Sequence, residues 1–225
     1  VKCLKILGEE MKKTTVFTFS LLITLSMVLS ACGGTATVTQ APTETESPVS
    51  AKDTFIFGRG GDSVQLDPIL VTDGESFRVT GQILDSLYKF EQGTTNPVPA
   101  LAECTPNENA TIWECKLREG VKFHDGTDFN ADAVIFNFDR WRFTDNPYHF
   151  PSQVFEYYEA MWGGFDENSK ITAVNKIDDM TVEFVLSEPM APFLAKLAMD
   201  SFAISSPTAI QSAGEAYGTP TVGAV

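Results

Sequence analysis

The chain has 225 residues, of which 43% are hydrophobic, 11% aromatic and 20% charged. This apolar content is enough for one compact domain or two small ones, and it excludes a chain that is disordered throughout. The formal net charge is -14, and lysines and arginines form no cluster beyond residue 13, so a nucleic-acid partner is not expected.

Residues 11–31 show the pattern of a secretory signal peptide. Two lysines precede a largely apolar run over residues 16–29, which is shorter than the roughly 20 residues that a membrane-spanning helix needs. The run ends in Leu29-Ser30-Ala31-Cys32. This sequence resembles the bacterial lipoprotein box, in which the cysteine is acylated and the chain is cut before it. We therefore predict a lipid on Cys32; the alternative is an ordinary signal peptide with an incidental cysteine.

Two further segments flank this signal. Residues 1–10 are predicted to be an over-extended gene start that lies ahead of the natural one, and mapping the mature N-terminus would test this. Residues 32–52 are rich in threonine, serine, glycine and proline, which predicts a flexible, lipid-anchored tether. Together the segments predict an exported protein that is lipid-anchored to the outer face of the cytoplasmic membrane.

Strands and helices are interleaved beyond residue 53, which predicts an α/β or α+β domain. Hydrophobic residues recur with a period of two in the strands and at helical spacing in the helices. The predicted elements are a short strand over 54–57 that ends at a glycine-rich run, a helix over 76–88, a half-buried strand over 111–117, a helix over 131–142 with Asn130 as its N-cap, a pair of strands over 171–177 and 181–186, and a helix over 189–199.

The sequence offers no set of residues for catalysis, and no metal or cofactor site. The two histidines, His124 and His149, lack the spacing to further His or Cys ligands that a metal site needs. A Gly-x-Ser-x-Gly nucleophile motif is absent. The glycine-rich run 58–61 fails as a dinucleotide motif because Ser63 takes the place of its third glycine. The missing nucleophile and metal sets therefore disfavour an exported hydrolase.

Cys104 and Cys115 are candidates for a disulfide. Ten residues separate them, with turn-forming residues at 106–109, so a β-hairpin would place them opposite one another. Export would bring them into an oxidising compartment. The alternative is a pair of buried free thiols.

An irregular segment between residues 148 and 165 is rich in aromatic residues. We expect these rings to pack the segment onto the core. The alternative is a ligand-facing aromatic wall, because rings bury a large area at a low entropy cost. The rings are Tyr148, Phe150, Phe155, Tyr157, Tyr158, Trp162 and Phe165.

The stretch Leu117-Arg118-Glu119-Gly120-Val121-Lys122-Phe123-His124-Asp125-Gly126 closely resembles the signature of extracellular solute-binding proteins of the peptide/nickel type. These proteins are the oligopeptide- and dipeptide-binding components of ABC importers. Cys115 departs from the family pattern, which has a bulky apolar residue there, and a disulfide to Cys104 would explain the exchange. Other matching pieces follow in the family's order over residues 54–222; they include Leu66-Asp67-Pro68, Leu87-Tyr88, Pro99-Ala100-Leu101-Ala102, Phe129 to Val134 with Arg140, Asp178 to Phe184, and Leu186 to Pro189.

The resemblance implies a bilobal, type II-like periplasmic-binding-protein fold in which two lobes close on a solute by a hinge motion. Family chains are more than twice as long, so we expect an N-terminal fragment that lacks the second lobe. By the family's plan, residues 53–85 begin the first lobe, 86–192 form an inserted small domain that carries the signature, and 193–225 start the return to the first lobe.

The resemblance also implies candidate ligand contacts. Val71, Thr72, Asp73 and Gly74 match by position the first-lobe segment that meets the ligand backbone. A cationic ligand end could be attracted to Asp73, although a role as a turn residue is the expected one. Within the aromatic segment, Tyr148 and Tyr157 are the second candidates.

The predicted function is a lipid-anchored receptor that captures peptides and delivers them to ABC permease subunits. One alternative is a member of the same family that binds nickel complexes or oligosaccharides. Another is a structural or signalling lipoprotein that kept the fold and lost transport. Because no bond is broken in solute binding, the prediction includes no catalytic residue.

Overall fold

The computed structural model describes residues 55–224. The predictions for residues 1–10, for the signal peptide at 11–31 and for the tether at 32–52 with Cys32 lie outside the described residues. The fold described below is that of the compact unit that starts at Ile56. None of the helices between residues 55 and 224 combines the length and the hydrophobicity that a transmembrane span requires.

A four-stranded antiparallel sheet and a shorter two-stranded pair form the centre of this unit. The strands are β1 Tyr88–Phe90, β2 Pro97–Pro99, β3 Ala102–Pro106, β4 Ile112–Leu117, β5 Ile171–Asp178 and β6 Thr181–Leu186. The large sheet has the strand order β3-β4-β6-β5, and β1 pairs antiparallel with β2. The helices are α1 Gly74–Ile83, α2 Ala131–Arg142, α3 Glu156–Trp162, α4 Phe193–Leu197 and α5 Pro207–Ala213.

Helix α2 covers one face of the sheet. Its N-terminus is capped by Asn130, whose side-chain oxygen accepts a hydrogen bond of 3.0 Å from the backbone N–H of Ala133, as the sequence predicted. Phe138 of this helix meets Phe184 of β6 edge to face, with ring centroids 4.8 Å apart. The predicted alternation in β4 is confirmed, because Trp113, Cys115 and Leu117 are all buried.

Cys104 and Cys115 lie directly opposite one another in the β3–β4 register, and their sulfurs are bonded in a disulfide. The bond therefore ties the edge strand β3 to a strand in the interior of the sheet. Cys115 is completely buried. The backbone N–H of Cys104 donates to the hydroxyl of Tyr88 at 2.8 Å, which also joins β3 to β1.

Three of the predicted elements differ from the structure. Residues 55–57 are not in a strand, because this short run passes directly into glycine-rich chain that favours turns. The helix predicted over 76–88 begins at Gly74 and ends at Ile83. Its last predicted residues instead form an extended segment, since Leu87 and Tyr88 are buried beside the sheet.

The helix predicted over 189–199 is the third difference, and it shortens to the five residues of α4. Prolines explain this, because Pro189 and Pro192 disfavour helical conformation in the residues that precede them. The first residue of α4, Phe193, packs its ring 4.8 Å from that of Trp113.

The first and last described segments meet on the other side of α2. The backbone N–H of Leu66 donates to the carbonyl of Gly218 at 2.6 Å, and Ser86 forms an isolated β-bridge with Ala203. A small second cluster of buried residues, Ile210, Tyr217 and Ala224, lies in this part of the chain. The domain boundaries at residues 85 and 192 remain predictions.

Candidate functional site

The loop predicted to face a ligand, Val71–Gly74, connects a 3-10 turn at Pro68–Leu70 to helix α1. Val71 is completely buried, whereas Thr72 and Gly74 are exposed. Asp73 is the N-cap of α1, and its Oδ1 accepts a hydrogen bond of 2.9 Å from the backbone N–H of Ser76. The loop therefore offers Thr72 and Gly74 to solvent and uses Asp73 to start the helix.

Hydrogen bonds from Ser76 hold the pKa of the Asp73 carboxyl below its ordinary value, so the group is an anion at neutral pH. Its second oxygen, Oδ2, is buried and accepts no hydrogen bond from the part of the chain that the structure describes. The capping role agrees with the turn-residue interpretation of Asp73. A contact between Asp73 and a ligand remains a prediction.

Tyr157 lies beside this loop. It belongs to helix α3, which packs against the 3-10 turn that leads into the loop. Its ring meets that of Phe77, in the first half of α1, edge to face at 5.7 Å. Tyr157 is only half-buried, so it is partly accessible to solvent at a position where it contacts the helix that the loop leads into.

Tyr148, the other predicted tyrosine, lies in a different cluster. Its ring packs 5.4 Å from that of Phe136 of α2, and both rings cover the small cluster around Ile210 and Tyr217. The structure therefore divides the aromatic segment between two sites. Most of its remaining rings serve the main core; Phe155, Tyr158 and Trp162 are 1%, 0% and 0% exposed.

The signature over 117–126 forms tight turns between the sheet and α2. Gly120 and Gly126 have φ angles of +72° and +84°, a region that residues with a side chain rarely adopt. Leu117 and Arg118 start the signature, and their backbone N–H groups donate to the carbonyls of Met180 and Leu101 at 2.8 and 2.9 Å. These contacts give the signature a structural role in this part of the chain.

Asp125 extends the signature towards helix α5. Its carboxylate accepts hydrogen bonds from the Ser206 hydroxyl and from the Thr127 backbone N–H. Burial acts to raise the pKa of the Asp125 carboxyl, but these hydrogen bonds outweigh burial and hold the pKa below its ordinary value. Asp125 also lines an open depression of about 420 Å³ together with Tyr217 and small residues of α5.

A buried ion pair lies beneath the predicted loop, and it joins Arg140 of α2 to Asp67, the residue before the 3-10 turn. Both side chains are only 1% exposed. The same guanidinium donates from Nε to the carbonyl of Tyr148 at 2.9 Å. It also lies over the ring of Phe155, with Cζ 5.5 Å from the centroid.

Asp67 and Arg140 belong to sequence pieces that match the family, but the sequence assigned neither residue a role. The signal that could have identified Arg140 is periodicity. Arg140 shares one helical stripe with Ala133 and Asn137, at spacings of four and three residues, and a stripe that buries polar groups requires partners for them.

Comparison with known proteins places the chain among solute-binding proteins. Residues 96–224 match the family model described as "Bacterial extracellular solute-binding proteins, family 5 Middle". The Dipeptide-binding protein of Escherichia coli is 41% identical over 167 residues, which are 70% of this chain and 30% of that protein. The Heme-binding protein A of Haemophilus influenzae is 34% identical over 190 residues, which are 80% of this chain and 34% of that protein.

The solved structures agree with these relatives. The periplasmic binding protein DppA from Helicobacter pylori, in complex with the peptide STSA, matches with a TM-score of 0.61 and 34% identity. The match covers 68% of this chain and 31% of that one. The chain thus spans about a third of the length of the proteins it resembles. The mixed helix-and-sheet fold expected from the sequence is that of part of a periplasmic binding protein.

Proposed function

The chain belongs to family 5 of the bacterial extracellular solute-binding proteins, and on that premise we propose that it captures peptides outside the cytoplasmic membrane for an ABC importer. The observation that carries the proposal is the 41% identity to a dipeptide-binding protein over 70% of the chain. The solute is held and released unchanged, so binding geometry alone determines the activity.

The geometry around Val71–Gly74 supports peptide binding. Thr72 and Gly74 are exposed residues, and their backbone groups can hydrogen-bond an extended peptide without regard to its side chains. Tyr157, which packs on Phe77 of the following helix, adds a flat apolar surface, and a ring contributes contact area with little loss of conformational entropy. The two features together suit ligands that share a backbone and differ in side chains.

The titration that tests the proposal uses the 225-residue chain and a pool of di- and tripeptides in a calorimeter. We expect saturable binding, and we expect Tyr157→Leu to weaken it about fivefold because a ring contact is lost. Ile177→Ser is the matched control, since Ile177 is exposed on β5, away from the loop. Equal affinities of Tyr157→Leu and the unsubstituted chain would remove Tyr157 from the site.

A second candidate solute is haem, which is favoured by the 34% identity to a haem-binding protein over 80% of the chain. Haem, nickel complexes and oligosaccharides are therefore titrated in parallel. Silence with all peptides and a saturable response to one of these would change the proposed solute. Silence with every ligand would contradict solute binding by this chain.

We further propose that the protein is exported, carries a lipid on Cys32 and delivers its solute to permease subunits. The signal-like segment 11–31 and the Leu-Ser-Ala-Cys box support this. Labelling of expressing bacteria with radioactive palmitate tests it. Cys32→Ser is expected to abolish the label and release the protein from membranes, whereas the control Thr35→Ser, three residues further along the chain, should retain both.

A further inference from the structure

Arg140 lies where three separate parts of the chain meet. Its side chain contacts Asp67 ahead of the loop Val71–Gly74, the backbone of Tyr148, and Phe155 at the start of the helix that carries Tyr157. We propose that Arg140 is a positioning residue, which holds the Val71–Gly74 loop and the Tyr148–Tyr157 segment in a single arrangement suited to a solute. The proposal rests on the proposed function for Val71–Gly74 and Tyr157 as ligand-facing; Tyr148 enters it only through the backbone carbonyl that Arg140 holds.

The contact with Asp67 fixes the base of the loop. Only the 3-10 turn Pro68–Leu70 separates Asp67 from Val71. The backbone at Asp67 is held as well, because its N–H donates to the side chain of Gln65 at 2.9 Å. A Cβ on Gly218 would come within 2.2 Å of the Asp67 nitrogen, so the chain has no room to shift in that direction.

Arg140 contacts both Tyr148 and the residue that follows it. Arg140 Nε donates to the carbonyl oxygen of Tyr148 at 2.9 Å, and the ring nitrogen Nδ1 of His149 lies 2.9 Å from the carbonyl oxygen of Arg140. His149 also stacks on Phe155, with centroids 4.0 Å apart. Two consecutive residues of the segment are thus attached to one residue of α2, and the stack carries that attachment to the start of α3.

A guanidinium suits this arrangement because it is planar and presents donors in several directions at once. An ammonium at the same position is a single point of charge, so it can pair with Asp67 or reach the Tyr148 carbonyl, but it cannot reproduce both contacts with the same geometry. The helix that carries Arg140 is itself fixed to the sheet through the contact between Phe138 and Phe184. The guanidinium is therefore a rigid reference point for both segments.

Hydrogen exchange measured by mass spectrometry on the 225-residue chain tests the proposal with two complementary variants. Arg140→Lys keeps the charge opposite Asp67, so we expect exchange about tenfold faster over residues 148–159 and little change over 65–77. Asp67→Asn keeps the Tyr148 contact, so we expect the reverse pattern. Arg142→Lys is the matched control; Arg142 is also buried on α2, but it pairs with Asp139 and the Ile171 carbonyl.

Peptide affinity is the second measurement, because a side chain that only supports folding would leave it unchanged in a folded variant. Both Arg140→Lys and Asp67→Asn should bind peptide about tenfold more weakly, with exchange in β4 and β6 as in the unsubstituted chain. Arg142→Lys should bind normally.

The outcomes separate this inference from the proposed function. Faster exchange that spreads evenly to the sheet in both variants would overturn the positioning role, since Arg140 would then support the whole unit. Unchanged exchange over 65–77 and 148–159 would overturn it as well. If the unsubstituted chain binds no peptide, the proposed function fails, and the segment-specific exchange pattern still decides whether Arg140 positions the two segments.

Discussion

Helix α2 buries two neighbouring stripes that are held by different forces. Val134, Phe138 and Trp141 are at most 1% exposed and belong to the main apolar core, in which Phe138 meets Phe184 of β6. Asn137 and Arg140, each one position away from a member of the first stripe, are equally buried. These two make directional contacts with Ser205, Asp67 and Tyr148.

The apolar stripe mainly stabilises the fold, whereas the polar stripe mainly fixes the positions of the segments it contacts. Apolar contacts on the sheet side contribute free energy roughly in proportion to buried area and tolerate replacements of similar volume. Hydrogen bonds and ion pairs on the polar side form only when the two partners are correctly oriented. A buried polar or charged group that loses its partner strongly destabilises the folded state. We therefore expect substitutions on the two stripes to differ in their dependence on size and on charge.

Arg140→Met breaks the polar stripe and has the largest expected effect. It leaves Asp67 as a buried carboxylate without its partner, which should lower the free energy of unfolding by about 4 kcal/mol. Denaturant unfolding followed by tryptophan fluorescence measures this. Phe138→Leu on the adjacent stripe should cost only about 1 kcal/mol, because most of the buried volume is kept.

A double variant separates charge from packing at the same place. Asp67→Leu with Arg140→Met replaces both charges by apolar groups, so we expect it to recover at least about 1 kcal/mol relative to Arg140→Met alone. The pair is not fully satisfied in the structure, since Asp67 Oδ1 and Arg140 Nη1 are buried without partners among the described residues. A double variant less stable than Arg140→Met would contradict the view that the lone carboxylate causes the loss.

The elements of the sheet side could be predicted from the sequence, because their signals are local. The alternation in β4, the helical spacing of Phe138 and Trp141 and the cap at Asn130 each appear within about ten residues. The contacts of the polar stripe join residues 67, 140 and 148, and no local pattern states which distant carboxylate faces a helical arginine. The end of helix α1 was predicted wrongly for a related reason. Leu87 and Tyr88 are buried by neighbours beside the sheet, and their local sequence does not show those neighbours.

The residues of the candidate site could also be predicted only in part from the sequence. Position in the family pattern identified the loop Val71–Gly74, and the aromatic residues identified Tyr157. That these two lie together depends on the contact between Phe77 and Tyr157, which follows from tertiary packing alone. Tyr148 has the same composition signal as Tyr157 but packs on Phe136, so composition could not assign the two rings to different clusters.

Reduction of the disulfide tests the sheet side by itself. The Cys104–Cys115 bond closes a loop with a sequence separation of 11 residues, so its loss should lower the free energy of unfolding by about 3 kcal/mol. Denaturation midpoints with and without a reducing agent measure this, and a Cys104→Ala/Cys115→Ala variant should be insensitive to the agent. Identical midpoints for the unsubstituted chain in both conditions would mean that the bond contributes nothing to stability.

Asn137→Ala removes the second member of the polar stripe. Asn137 donates to the Ser205 carbonyl at 2.8 Å and accepts from its N–H at 3.2 Å, and both groups are buried. We expect a loss of about 2 kcal/mol, because the Ser205 backbone is left without partners. Asn175→Ala is the control; Asn175 is exposed and its side chain donates an exposed hydrogen bond to the carboxylate of Glu183, so a change within about 0.5 kcal/mol is expected.

The pH dependence of stability gives the smallest and most specific distinction between the two sides, and His149 is the group that carries it. Burial lowers the pKa of the His149 imidazole, the nearby Arg140 guanidinium acts in the same direction, and the hydrogen bond to the Arg140 carbonyl and the charge of Asp166 oppose them. The folded state therefore binds a proton less readily than the unfolded state, in which the pKa has its ordinary value of 6.5.

Stability linked to His149 is accordingly complete above about pH 6.5 and declines as the pH falls through that value towards the lower pKa of the folded state. We expect unfolding midpoints of the unsubstituted chain to decrease between pH 7.5 and 5.5, and we expect His149→Gln to show a flatter profile. His124→Gln is the matched control, since His124 is the chain's other histidine and is exposed.

Two carboxyls have the opposite effect on stability. Burial raises the pKa of the Asp139 and Asp200 carboxyls, so their contribution to stability increases as the pH falls. The difference between the variants is therefore the quantity to compare. A profile for His149→Gln that parallels those of the control and the unsubstituted chain would show that protonation of His149 does not disturb its stack on Phe155 or its bond to α2.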